Sequence, residues 1–311
     1  MKPLQIVFMG TPDFSVAALE NLIAGPHHVL AVVTQPDRQR GRGKKLTFSP
    51  VKESAVAHGI PVYQPERGND PELRLLLERL QPDVLIVIAY GKILPEALLE
   101  IPVYGAINVH ASILPKYRGA APIHWAILNG DNLAGVTIMQ MDKGMDTGDI
   151  LRITTLPVNP KETTGGLFDK LSLLGADTLS TVLADLEQYQ AGRQKQSEAD
   201  ATYVGKITKD MEQINWTGSA AAIERLIRGL SPAPGAYTLI QGKRLKIWQA
   251  DVLAESVSLA AGTVMEIGKD YFVIATGEGA LRVKEVQPES KRRVPVHEYL
   301  QQAPFIVGDC L

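Results

Sequence analysis

Apolar positions follow two different rhythms along this chain. In the first half, short continuous apolar runs alternate with longer segments of helical spacing. Gln5 to Met9, Val29 to Thr34, Pro61 to Gln64, Val84 to Ala89, Gly105 to Val109 and Val136 to Met141 read as strands. The unbroken apolar character of Val84 to Ala89 is that of a strand buried on both faces, as parallel sheets require. Between these runs the spacing predicts helices after Gly10-Thr11-Pro12-Asp13-Phe14 through Ile23, over Pro71 to Leu80, and over Ala120 to Leu128. After Thr163 a long helix places Leu167, Phe168, Leu171, Leu174, Leu179, Val182, Leu183 and Leu186 on one broad face. Such alternation over roughly 150 residues predicts an α/β domain with a doubly wound, mostly parallel, Rossmann-like sheet.

The rhythm then changes. Gln188 to Thr202 is polar and lacks apolar periodicity, so it reads as a linker. A helix is expected over Ser219 to Arg228, ended by Gly229. Short runs follow, separated by turn signals: Ala236 to Ile240, Leu245 to Val252, Gly262 to Ile267, Tyr271 to Ala275 and Ala280 to Val286. That is the pattern of a small, OB-like β-barrel. The expected division is an α/β domain over residues 1–188, a linker over 189–207 and a β-barrel domain over 208–311.

Composition narrows the class without naming a function. The chain has 311 residues, 45% hydrophobic and 21% charged, enough for two globular domains. No stretch approaches the roughly 18–20 apolar residues that span a bilayer. The apolar run after Met1 is too short for a signal sequence and ends in a glycine turn. A lone cysteine, Cys310, forms no internal disulfide. The expectation is a cytoplasmic protein without redox chemistry of its own, and a monomer, because no self-complementary apolar face is visible. The three tryptophans, Trp125, Trp216 and Trp248, are expected in the core.

Net charge is −2, so an affinity for polyanions has to come from local clusters. Five of the eight residues from Arg38 to Lys45 are basic: Arg38, Arg40, Arg42, Lys44 and Lys45, with Gly41 and Gly43 among them. Such a segment is either a solvated loop or a mobile arm that closes on a phosphate backbone. Lys243, Arg244 and Lys246, and Lys291-Arg292-Arg293, are smaller clusters of the kind that are more often solvated faces. Together with the arm they offer a track for an extended polyanion.

The candidate chemistry gathers at Asn108-Val109-His110-Ala111-Ser112-Ile113-Leu114-Pro115. Residues two apart in a strand face the same side, so the Asn108 amide and the His110 imidazole enter one crevice together. Open α/β sheets bind ligands beyond the carboxyl ends of their strands. An amide N–H can hold a developing oxyanion, and an imidazole can move protons near neutral pH. Asp146, in a loop rich in Gly and Thr, is a carboxylate able to orient that imidazole. Taken singly, each of the three suits a structural role; as a set they form a candidate site. Ala89-Tyr90-Gly91 leaves the sheet at the same edge. The Gly10 turn lacks the second and third glycines of a dinucleotide fingerprint, which counts against a nicotinamide enzyme. No metal-ligand spacing, phosphate-binding Gly-x-x-x-x-Gly-Lys motif or Gly-x-Ser-x-Gly elbow is present.

The series Asn108-x-His110-x-Ser112-x-Leu114-Pro115-x-Tyr117-Arg118-Gly119, then Gly135-Val136-Thr137 and Asp146-x-Gly148-Asp149, resembles the formyltransferases that use 10-formyltetrahydrofolate. The basic segment after the second strand, and a C-terminal domain with Ile214-Asn215-Trp216, are similar to the branch of that family acting on methionyl-tRNA. The resemblance runs essentially end to end and is weaker in the barrel. Ser112-Ile113-Leu114-Pro115 stands where the family commonly shows Ser-Leu-Leu-Pro. The resemblance implies that Asn108 donates to the formyl oxygen, that His110 shares this stabilisation and shuttles a proton, and that Asp146 orients His110. It implies a folate pocket lined by Ser112, Ile113, Leu114 and Pro115, with Ala89, Tyr90 and Gly91 as weaker contributors. It also implies initiator methionyl-tRNA as partner, met by Arg38, Arg40, Arg42, Lys44, Lys45, Lys243, Arg244 and Lys246, and no metal. Formyltransferases for nucleotide-linked amino sugars or glycinamide ribonucleotide share the Asn/His/Asp set but need no paired basic arm and basic barrel. A non-enzymatic RNA-binding α/β protein would not need that set at all.

Overall fold

The computed structural model describes residues 2–40, 45–254, 257–302 and 305–311. Strand β1 (Gln5–Gly10) leads through α1 (Val16–Ala24) to β2 (His28–Val33), then to a short ribbon of β3 (Arg38–Arg40) and β4 (Lys45–Thr47). Next come α2 (Pro50–Ala57), β5 (Val62–Tyr63), α3 (Pro71–Leu80), β6 (Val84–Ile88), α4 (Glu96–Leu99) and β7 (Ala106–His110). The chain continues with β8 (Arg118–Gly119), α5 (Pro122–Asn129), β9 (Leu133–Gln140), β10 (Ile150–Pro157), α6 (Thr164–Ala184), α7 (Leu186–Ala191) and β11 (Tyr203–Val204). The remainder holds α8 (Ala220–Gly229), β12 (Tyr237–Ile240), β13 (Lys243–Leu253), β14 (Val264–Ile267), β15 (Phe272–Ala275), β16 (Ala280–Pro288), β17 (Val294–Pro295) and α9 (Val296–Tyr299).

The apolar runs assemble as their character requires. Seven strands lie in the order β10-β9-β7-β6-β1-β2-β5. The five from β7 to β5 are parallel. At the other edge β9 runs antiparallel to both its neighbours, β7 and β10. All five residues of β6 are buried, which is why its sequence shows no alternation. Helix α3 starts where Asp70 accepts a hydrogen bond from the Glu72 N–H and Pro71 takes the first turn. It buries Leu73, Leu76 and Leu77 in the core around Val7, Val33 and Leu85. Chain order reverses between β1 and β6, so the carboxyl ends of the central strands open onto the crevice where such sheets bind ligands.

Two elements escaped the apolar pattern. Strand β10 sits on an edge and buries only Leu151, with Arg152, Ile153, Thr155 and Pro157 exposed, so it carries little apolar signal. Helix α2 buries only Val51 and Ala55, although the Ser49 hydroxyl caps the Lys52 N–H and Pro50 marks its start.

By backbone contacts the chain forms two compact units. One comprises Met1–Pro122, Leu133–Pro157 and Phe168–Val204; the other comprises Ile123–Asn132, Val158–Leu167 and Gly205–Leu311. In the second unit the antiparallel order is β12-β13-β16-β15-β14, with β17 beside β16. This curled sheet is the expected small barrel as a half-barrel. Its core joins Ile223 and Ile227 of α8 to Leu245, Ile247, Phe272, Leu281 and Trp216. Trp216 and Trp248 are buried and Trp125 is half-buried. Among the described residues no helix is long and apolar enough to cross a membrane.

Candidate active site

Strands β6 and β7 are parallel neighbours, with Val87 beside Asn108. Their ends bring two of the expected segments together. After β6 the chain leaves the sheet through Ala89 (φ 46°) and Gly91 (φ 80°), both exposed. The positive φ at position 91 suits glycine, and a side chain there would also displace the Gln35 amide, 2.7 Å away. Tyr90 between them does not offer its ring to the crevice. It is buried against Leu73, Leu76, Leu77 and Leu94, and its hydroxyl has no hydrogen-bond partner among the described residues. That burial, aided by the charge of Asp70, pushes the phenol up to about 12. What Tyr90 offers is its backbone carbonyl, which accepts from Gln35 Nε2 at 3.0 Å and from Thr11 Oγ1 at 3.3 Å.

At the end of β7 the side chains are fixed by backbone groups. Asn108 Nδ2 donates to the Val87 carbonyl at 3.0 Å, which sets the amide's orientation because a carbonyl only accepts. Its Oδ1 is then buried with no partner among the described residues. By the same logic the His110 Nε2–H donates to the Tyr117 carbonyl at 2.9 Å, so the neutral ring carries its proton on Nε2. The other nitrogen, Nδ1, faces Asp146 Oδ1 at 3.7 Å. That gap is too long for a direct hydrogen bond but short enough for an ion pair once the ring takes a second proton. Asp146 adopts φ 56°, a region Asp tolerates better than most residues, and its Oδ2 accepts from the Gly119 N–H at 2.8 Å. Thus His110 and Asp146, 36 residues apart in sequence, are brought face to face.

The loop after His110 rests on β9. Thr137 Oγ1 donates to the Ser112 carbonyl at 2.7 Å and accepts from the Leu114 N–H at 3.1 Å. The Ser112 hydroxyl donates to the Lys116 carbonyl at 2.6 Å. Leu114 is buried, Ile113 and Pro115 are half-buried, and the Leu114–Pro115 peptide is cis. The hydroxyl of Ser112 is therefore spent on its own loop, and Thr137, quoted above only within a motif, is the residue that shapes the segment.

The basic segment begins and ends as a ribbon in which Arg38 pairs with Thr47 and Arg40 with Lys45. Arg42 and Lys44 lie outside the described residues, as do the side chains of Arg40 and Lys45. The root of the ribbon is firmly held: Asp37 receives hydrogen bonds from Lys52 at 2.5 Å and Gln64 at 2.9 Å. Burial pushes the Asp37 carboxyl up, but those two donors outweigh it and hold it below the ordinary carboxylate range. Arg38 donates to Gln35, whose amide in turn reaches the Tyr90 carbonyl. On β13, Lys243 and Arg244 are exposed, and the Arg244 guanidinium stacks 4.5 Å over the Tyr237 ring. Lys246 instead turns back to donate to the Pro234 carbonyl.

Sequence reasoning missed one group outright. Arg118 is fully buried and binds Gln196, Glu198 and Tyr203, which all fall in the stretch expected to be a linker. Its hydrogen bonds hold Glu198 below the ordinary carboxylate range.

Known proteins resemble this chain along almost its whole length. Residues 4–183 match the formyl transferase family model, and residues 206–304 match the model for the formyl transferase C-terminal domain. The methionyl-tRNA formyltransferase of Hydrogenovibrio crunogenus is 49% identical over 300 residues, covering 96% of both chains. That of Caldanaerobacter subterraneus subsp. tengcongensis is 50% identical over 298 residues, again covering 96% of both. Among solved structures, the sugar 3N-formyl transferase WlaRD has the same fold, with a TM-score of 0.66 at 20% identity over 93% of this chain and 99% of that one. HypX from Aquifex aeolicus, solved with tetrahydrofolic acid, gives a TM-score of 0.65 at 17% identity over 99% of this chain and 49% of that one. With the Asn108, His110 and Asp146 set at the strand ends and identity near one half along almost the whole length, this chain belongs to the methionyl-tRNA formyltransferase family.

Proposed function

We propose that this protein transfers the formyl group of 10-formyltetrahydrofolate to the α-amino group of methionine on initiator methionyl-tRNA, acting as a monomer in the cytoplasm. The observation that carries the reading is the strand-end site itself, in a chain about half identical to named methionyl-tRNA formyltransferases. The residues fit the folate co-substrate. Ala89 and Gly91 are exposed, the loop Ser112 to Pro115 is braced on Thr137, and the buried Asn108 Oδ1 finds no donor among the described residues. The co-substrate supplies an activated formyl carbonyl.

The chain's own groups divide the remaining work. The second N–H of the Asn108 amide is free of the Val87 bond and donates to the formyl oxygen as negative charge develops there. Because Nε2 is committed to the Tyr117 carbonyl, Nδ1 is the nitrogen of His110 that takes the proton lost as the amine bonds to the formyl carbon and passes it to the tetrahydrofolate nitrogen as that nitrogen's bond to the formyl carbon breaks. Asp146 stabilises the imidazolium so formed, held in place by the Gly119 N–H. An α-amino group has an ordinary pKa of about 7.7–8.0, so part of the acceptor is already a neutral nucleophile at physiological pH. Charge stabilisation and alignment therefore carry the catalysis, with no covalent enzyme intermediate.

Purified protein supplied with 10-formyltetrahydrofolate and methionyl-tRNA is expected to release tetrahydrofolate in step with formylmethionyl-tRNA. Formylation of a nucleotide-linked amino sugar or of glycinamide ribonucleotide, with methionyl-tRNA left untouched, would refute the proposed acceptor.

A further inference from the structure

The Arg118 side chain is fully buried, while Glu198, which binds it, is largely exposed. Burying a guanidinium is costly unless its donors are occupied, and here four of the five are. Nε donates to Gln196 at 3.0 Å; Nη1 donates to Glu198 at 3.0 Å and to the Tyr203 hydroxyl at 2.7 Å; Nη2 donates to Glu198 at 2.8 Å. The bidentate fork on Glu198 fixes direction as well as distance. An apolar residue would fill this space without the desolvation cost, so the fork has a use beyond packing.

That use is visible in what the bound segment touches. Residues 194–204 run as a strap along the loop that carries Arg118. Arg118 N donates to the Thr202 carbonyl at 2.8 Å, Tyr117 N to Thr202 Oγ1 at 2.8 Å, and Ala120 N to the Val204 carbonyl at 2.9 Å. Tyr117 and Gly119, the residues either side of Arg118, are the partners of the catalytic pair: one accepts from His110 Nε2, the other donates to Asp146 Oδ2. At Gly119, with φ 102°, a side chain would collide with the Val204 carbonyl at 2.5 Å, so the strap lies as close as a backbone permits. The strap also grips the Asp146 loop directly. Gln196 Nε2 donates to the Asp146 carbonyl at 2.8 Å and to the Gly148 carbonyl at 2.7 Å.

We infer that the strap, locked by Arg118 to Gln196 and Glu198, positions the catalytic pair by holding the His110 acceptor and the Asp146 loop in one frame. The inference rests on the proposed formyl transfer, since it assigns Gln196 and Arg118 a role in the proton-handling step. These are positioning residues, acting through Tyr117, Gly119 and Asp146. A frame error of about 1 Å costs up to a hundredfold in rate when a proton must pass between fixed groups.

The test uses the full chain with Gln196→Ala, Gln196→Glu and Glu198→Ala, each checked for native circular dichroism. Gln196→Glu keeps an acceptor for Arg118 but sets a carboxylate against two carbonyl oxygens. In all three variants kcat for formyl transfer is expected to fall about ten- to a hundredfold, with both KM values within about twofold of wild type. The imidazole 15N spectrum of His110, a single Nε2–H tautomer in the wild type, is expected to show mixed tautomers. Folded variants with wild-type kcat and an unchanged His110 spectrum would overturn the inference, as would a loss confined to KM. A wild-type protein that formylates no methionyl-tRNA would refute the functional reading instead, and the His110 spectrum alone would then decide whether the strap sets the pair.

Discussion

The basic ribbon and the strap are both polar segments beside the strand ends, and they are built in opposite ways. The ribbon gathers like charges, Arg38 through Lys45, and is anchored at its root by Asp37, Lys52 and Gln64. The strap gathers complementary groups, and nearly every polar side chain named in it is bonded to the loop of Arg118 or the loop of Asp146. Like charges held together at a root are costly to keep apart from counter-ions, and so suit a polyanionic ligand. Complementary groups already joined to one another hold geometry rather than recruit a ligand. One segment is expected to act on substrate affinity, and the other on the rate of the chemical step.

The largest expected effect lies with the residues both segments serve. Asn108→Ala and His110→Ala are each expected to lower kcat by roughly two orders of magnitude or more, since each removes a group acting on developing charge or on the proton. Near-normal rates in both, measured under single-turnover conditions, would remove the site assignment. Loss of the strap's grip ranks next, as set out above for Gln196. The ribbon follows. Arg40→Ala with Lys45→Ala is expected to raise the KM for methionyl-tRNA about tenfold, leave kcat within about twofold, and flatten the slope of log binding constant against log salt by about one to two. If kcat fell while the salt slope held, the two segments would have exchanged roles.

The smallest expected effect is a pH dependence confined to the ribbon's root. Asp37 has its carboxyl held below the ordinary range in the folded protein, against an unfolded value of about 3.9. Its contribution is thus fully present above that unfolded value and is lost as the pH falls through the lower, folded one. Amide exchange at Gln35 to Arg38 is expected to quicken as the pH drops below about 4, beyond the intrinsic chemical trend. Asp37→Asn should show the quickened exchange already at neutral pH; an unchanged pattern would mean that the root is held by backbone alone.

What could be read from the sequence follows from where each signal resides. The central strands are legible because burial on both faces leaves a local apolar run, as in Val84 to Ile88. Strand β10 is not, because one face of an edge strand meets water and its residues alternate weakly. Asn108 and His110 are legible as a pair because two-residue spacing puts them on one face, and the ribbon is legible because five cations in eight residues are a local anomaly. The strap reads as a linker because its meaning lies in partners 78 to 85 residues away: Gln196, Glu198 and Tyr203 acquire their roles only when Arg118 is folded beside them. The protonated nitrogen of His110 and the orientation of the Asn108 amide are likewise set by backbone carbonyls that no spacing rule reveals. Tyr90 is legible as core from the apolar run it follows; that its carbonyl accepts from Gln35 is set by a residue 55 positions earlier.

The most direct test of the whole account is formyl transfer from 10-formyltetrahydrofolate to initiator and elongator methionyl-tRNA, measured side by side on the intact protein. A strong preference for the initiator is expected, expressed in kcat/KM and weakened when the ribbon's cations are neutralised. Equal transfer to both species, indifferent to the ribbon, would contradict it.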